Sequence, residues 1–153
     1  MVHVLCFGNL LHGDDGFGIH VHRLLAGRLA ADRARLIEAG VRGIDALAML
    51  DRPSHVVLVD ALRDGRSPPG TVRVVDGDDL RVEDTESVHG GGVGWLVQAI
   101  RVCVIPAPRV TLVGAVIREI QGFIPRLSPL LADRLDAVAM LVEKLANAED
   151  GHG

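Results

Sequence analysis

Residues 2–18 read VHVLCFGNLLHGDDGFG. A six-residue, mostly apolar run that fits a buried strand passes directly into a loop with glycine at 8, 13, 16 and 18. A strand entering a glycine-rich turn is the usual start of a nucleotide-binding α/β unit. Here, however, the centre of the loop is Asp14-Asp15. The loop lacks the Lys-Ser/Thr of a P-loop, and its glycines do not follow GxGxxG spacing. Two carboxylates repel phosphate at close range, whereas a divalent cation suits their charge.

The rest of the chain repeats the alternation of strand and helix. A helix is predicted from Asp14 to Ala30, with Phe17, Val21, Leu24, Leu25 and Leu29 along one face. RLIEA (35–39) reads as a short strand and Gly43–Leu50 as a short helix. HVVLVDA (55–61) reads as a strand buried on both sides. RDGRSPPG (63–70) is a turn-rich loop, and TVRVVD (71–76) a strand placed at an edge. GGVGWLVQAIRVC (91–103) reads as a helix entered through glycines, RVTLVGAVI (109–117) as another strand, and Pro129–Ala146 as a closing helix. This order predicts an α/β three-layer sandwich: a twisted, mostly parallel sheet of about five strands with helices on both faces.

Composition agrees with that class. The 153 residues suffice for one domain, predicted over 1–146 with a frayed tail at 147–153; they are 48% hydrophobic, with three Phe, one Trp and no Tyr. A net charge of −4 argues against nucleic acid or an acidic membrane surface as a partner. No run approaches the ~18–20 apolar residues a membrane span requires, and no secretory leader pattern opens the chain. Cys6 and Cys103 form no CxxC pair and read as buried small hydrophobes in a reducing compartment. The expectation is a cytoplasmic protein.

In parallel sheets, ligands bind outside the carboxyl ends of the strands. Asp14 and Asp15 follow the first strand, Asp60 closes HVVLVD, and His89 lies in the loop SVHGGG (87–92). A carboxylate at the end of an apolar strand is costly to bury unless a cation meets it. Two carboxylates and an imidazole make a mixed O/N donor set for zinc, nickel or a similar ion, with open positions left for substrate. The competing reading is that Asp14 or Asp15 caps the first helix. His12 lies near enough in sequence to reach the site, while His20, His22 and His55 read as surface or strand-start residues. No Ser-His-Asp or Cys-His arrangement is evident.

GNLLHGDDGFG resembles the opening signature of the nickel–iron hydrogenase maturation endopeptidases, roughly G-N-x-L-x-x-D-[DE]-x-x-G. The resemblance continues through EAGVRGIDAL (38–47), VVLVDAL (56–62), SVHGGGVGWL (87–96), TLVGAV (111–116) and RLSP (126–129). It implies an endopeptidase that removes the C-terminal extension of a hydrogenase large-subunit precursor after nickel insertion. On that view Asp15, Asp60 and His89 meet the nickel, and Asp14 organises the loop. The metal arrives with the substrate, so no permanent cofactor is expected, although zinc or cadmium can fill such a site. Glu38 stands where the family usually has Asp and is a candidate general base. Ala39-Gly40-Val41 replaces the family's Gly-Gly-Thr, Val88 the Pro before the histidine, and Ile117 a Pro after the last strand. The partner implied is the precursor, met by a monomer. A metal-dependent amidase acting on another substrate and a non-catalytic nickel-checking chaperone are the rival readings.

Overall fold

The computed structural model describes residues 1–80, 92–120 and 122–148. Five strands form one sheet: β1 (Val2–Phe7), β2 (Ala34–Gly40), β3 (His55–Leu62), β4 (Val72–Asp76) and β5 (Arg109–Val116), in spatial order β2-β1-β3-β5-β4. The first four in that order run parallel, and β4 pairs antiparallel with β5 at the edge. Strands covered on both faces need no polar alternation, and β1 is buried at all six positions. The expected α/β sandwich is therefore the observed fold.

The two faces carry separate cores. Val2, Val4, Cys6, Val57, Val59, Val113 and Ala115 face α1 (Phe17–Leu25) and α4 (Leu135–Asn147). Leu5, Phe7, Val56, Leu58 and Leu112 face α2 (Val93–Cys103) and a 3-10 helix over Gly43–Met49. On α1, Phe17, Val21 and Leu25 recur at helical spacing and are fully buried. Each contributes about 1.5–3 kcal/mol of burial. Gly18 sets how closely this helix approaches the sheet. A Cβ there would lie 2.1 Å from the Phe7 carbonyl oxygen and 2.7 Å from that of Val59.

Three helices differ from their expected extents. The one expected from Asp14 to Ala30 is shorter at both ends. Gly13–Gly16 is a 3-10 turn, and α1 covers Phe17–Leu25. The Asp14 and Asp15 side chains bond to Ser128 and Asn9 and hold the turn outside the helix. Beyond Leu25, the amides of Arg28 and Leu29 both bond to the Leu25 carbonyl, and the helix closes around Gly27. The short helix expected over Gly43–Leu50 is present as a 3-10 helix over Gly43–Met49, one residue shorter. Ala46 and Met49, three residues apart and both packed on the second core, stack one above the other in that tighter geometry. The Pro129–Ala146 helix is two pieces, α3 (Pro129–Ala132) and α4, broken where Arg134 Nε donates to the Gly70 carbonyl.

One smaller expectation also changes. Cys6 is buried, but Cys103 is exposed at the end of α2. His55 starts β3 as expected; it is 2% exposed, and its Nε2 lies 2.9 Å from Thr111 Oγ1. Among the described residues no helix is long and apolar enough to cross a membrane.

Candidate active site

The chain leaves β1 towards β2 and then crosses to β3 on the other side of β1. Such a reversal opens a crevice beyond the carboxyl ends of the two central strands. A cleft lies there, lined by Phe7 and Gly8 after β1, Gly40, Val41 and Gly43 after β2, and Asp60, Ala61 and Arg63 at the end of β3. Asp15, Gly92, Val93, Ile117 and Ile120 complete it. Fold topology thus gathers segments distant in sequence around two carboxylates.

Asp15 reaches the cleft because the loop folds back over its own strand. Gly8 has φ +141°, and a Cβ there would lie 2.4 Å from the Asp15 carbonyl oxygen, so only glycine permits that approach. The Gly8 amide donates to the Gly40 carbonyl at 2.9 Å, joining the loop to the end of β2. Asp15 is 8% exposed, and its Oδ2 accepts the Asn9 amide at 3.3 Å.

Asp60 sits within β3 rather than at its last residue, opposite Gly114 of β5. Its Oδ1 accepts the Ala61 amide at 2.8 Å. Burial, reinforced by the negative charge of Asp15, pushes its carboxyl from 3.8 up to about 8 against the lowering effect of that amide. The same burial, with Asp60 and Glu38 nearby, pushes the Cys6 thiol well above its usual range. Cys6 is therefore no nucleophile. Two carboxylates from separate elements line this cleft, and a divalent cation suits their charge.

Asp14 has a different task. Ser128 donates both its amide, at 2.7 Å to Oδ1, and its hydroxyl, at 2.8 Å to Oδ2. The same hydroxyl accepts the Leu131 amide at 3.4 Å as the N-cap of α3. Neither aspartate caps α1, whose N-cap is Gly16. Glu38 is not among the residues lining the cleft. Its side chain is more than half exposed, with Oε2 3.9 Å from His22 Nδ1. His89 lies outside the described residues, and among those described no three metal-ligating side chains gather.

Sequence reasoning missed three residues at this site. Ser128 was legible, since Ser followed by Pro is a helix-start signal, but nothing in sequence tied it to Asp14. Asn9 was quoted only as part of the loop, and Arg63 read as part of a turn. The described residues offer the Arg63 guanidinium no hydrogen-bond or ion-pair partner, although it lines the cleft with both acids.

Fold and site together define a doubly wound α/β protein with an acidic cleft at its strand reversal. The family profile described as hydrogenase maturation protease matches residues 19–145. The hydrogenase expression/formation protein HupD of Rhodobacter capsulatus is 28% identical, over 93% of this chain and 70% of that protein. The hydrogenase 2 maturation protease of Escherichia coli is 23% identical, over 88% and 86% respectively. Among solved structures, the hydrogenase maturating endopeptidase HybD from E. coli superposes with a TM-score of 0.82 at 22% identity, covering 98% of this chain and 93% of its own. The hydrogenase 2 maturation peptidase from a Thaumarchaeota archaeon gives 0.70 at 28% identity, covering 95% and 97%. This chain belongs to the hydrogenase maturation protease family and is a peptidase.

Proposed function

We propose that this peptidase removes the C-terminal extension of a nickel–iron hydrogenase large-subunit precursor once nickel has been inserted, and that the nickel carried by the precursor is what the cleft recognises. The observation that carries the reading is the pairing of Asp15 and Asp60, two acids on separate elements that share one cleft, where burial and the charge of Asp15 raise the Asp60 carboxyl. His89 is the proposed third donor, by family resemblance. Two carboxylates and an imidazole leave the ion open positions for its ligands in the precursor.

The chemistry is hydrolysis of one amide bond by water. An ion at the cleft supplies polarisation of the scissile carbonyl or a more acidic water. The residues of this chain do the rest. Asp15 and Asp60 orient the ion's neighbourhood, while Phe7, Val93, Ile117 and Ile120 line the cleft with apolar surface that limits competing water. Glu38 is not proposed as the base, because its carboxylate faces His22 rather than the cleft.

The test is to incubate the purified chain with precursor assembled with and without nickel and to follow precursor length. Shortening of only the nickel-loaded form is the expected result. Equal cutting of both forms would show that nickel is not what is read, and no cutting of either would refute the assignment.

A further inference from the structure

Aromatic side chains are scarce here, and the three phenylalanines divide sharply. Phe7 and Phe17 are buried in the two cores, whereas Phe123 is 87% exposed. Phe123 also holds φ +62°, a left-handed conformation that disfavours any residue with a Cβ and suits glycine. A large apolar ring left mostly in water on strained backbone gains little burial for the isolated fold. Strain of this kind persists where the surroundings impose it and concentrates at functional positions.

The surroundings that impose it belong to the cleft. Next to Phe123, the Ile124 amide donates to the Leu11 carbonyl at 3.0 Å, and the Gly13 amide donates to the Ile124 carbonyl at 2.7 Å. These bonds clasp the segment to the loop that presents Asp15. The Phe123 ring meets the His12 ring edge-on, with centroids 6.4 Å apart. Leu11, across the clasp, is itself 56% exposed. Ile117 and Ile120, which precede Phe123 after β5, line the cleft. Phe123 thus lies a few residues beyond two apolar cleft-lining residues and is bonded to the loop that presents Asp15.

We infer that Phe123, with Leu11 beside it, is a substrate-anchoring residue: it takes an apolar segment of the precursor polypeptide flanking the bond to be cut. This rests on the proposed processing reaction and deepens it. The occupant is the precursor because the segment carrying Phe123 is bonded to the very loop that presents Asp15 to the cleft. An exposed aromatic beside such a loop has the character of a binding hot spot, and a docking contact remote from the reacting atoms affects binding more than turnover.

The experiment compares wild type, Phe123→Gly and Phe123→Leu as full chains with nickel-loaded precursor. It measures KM, kcat, thermal midpoint and direct precursor binding. Glycine removes the ring and relieves the backbone, so stability and recognition should move in opposite directions. Phe123→Gly should raise Tm while raising KM and the binding constant about 5–20-fold, with kcat within about twofold. Phe123→Leu, which keeps apolar bulk, should restore most of the affinity. Unchanged binding in Phe123→Gly, or weaker binding together with a lower Tm, would overturn the inference. If wild type binds the precursor but leaves it whole, the processing assignment fails, and the binding comparison still decides the role of Phe123.

Discussion

Both carboxylate oxygens of Asp14 are held by Ser128, whose amide and hydroxyl reach them at 2.7 and 2.8 Å across 114 positions of sequence. The pair ties the acidic loop after β1 to the start of α3. Ser128→Ala removes the hydroxyl's bond to Asp14 and its cap on Leu131, and should cost about 1–2 kcal/mol. Asp14→Ala should cost about as much or more, because it strands the Ser128 amide. A double-mutant cycle by denaturant unfolding should return a coupling of about 1 kcal/mol or more; additivity would show the contact to be energetically idle.

Asp60 makes stability depend on pH. Its carboxyl is raised to about 8 in the folded chain from about 3.8. Between those values the unfolded chain has lost a proton that the folded chain still holds, so stability falls as pH rises through this window. Below about pH 4 both states are protonated and the cost disappears. In metal-free protein, Asp60→Asn should therefore raise Tm by a few degrees near pH 8.5, given roughly 2–4 °C per kcal/mol at this size, and change it little near pH 4. A Tm difference independent of pH would refute this account. The same substitution should abolish processing of nickel-loaded precursor.

Gly18 lies where α1 meets the sheet. An added methyl would overlap the carbonyl oxygens of Phe7 and Val59, which belong to strands that cannot yield separately. Gly18→Ala should destabilise the chain by about 2–4 kcal/mol despite alanine's better helix propensity. A chevron or urea midpoint equal to wild type would mean that α1 shifts freely on the sheet.

Arg63 shares the cleft with Asp15 and Asp60. Its charge opposes cation capture by the two acids, so Arg63→Gln should tighten binding of a divalent cation such as zinc about 3–10-fold at low salt, an order set by Coulomb's law across a solvated cleft. The gain should shrink as ionic strength rises. Weaker zinc binding in calorimetry would show that Arg63 instead supports the site.

Much of the fold was legible because the central strands β1 and β3 are largely apolar. VHVLCF and HVVLVDA fit buried parallel strands, and both occur with those cores. TVRVVD forms the antiparallel edge. Helix ends were harder to read. Their positions depend on contacts between distant segments, such as Ser128 on Asp14 and Arg134 on the Gly70 carbonyl, that leave no local trace. At the site, two acids after different strands could be associated because parallel topology brings strand ends together. Glu38 misled because alternation along β2 decides its face, and Glu38 follows Ala34 and Leu36 towards the α1 side. His22 on α1 is its neighbour there. Phe123 carried no sequence signal, since neither exposure nor a left-handed backbone can be read from a lone Phe.

The clasp between Gly13, Leu11 and Ile124, together with the Ser128 bonds to Asp14, has a consequence in time. The acidic loop leaves a ribosome long before the residues that fix it, since Ser128 follows Asp14 by 114 positions. A nascent chain can pair β1 with β2 and β3 well before Ile124 and Ser128 have emerged. Until then the Asp15 loop lacks those distant bonds, so peptidase competence waits for residues 124–128. Proteolytic potential is thus withheld from incomplete chains by the order in which the polypeptide is made. Hydrogen exchange at the Gly13 amide should show it: protection should appear with Ile124 and be absent from a fragment ending after β5.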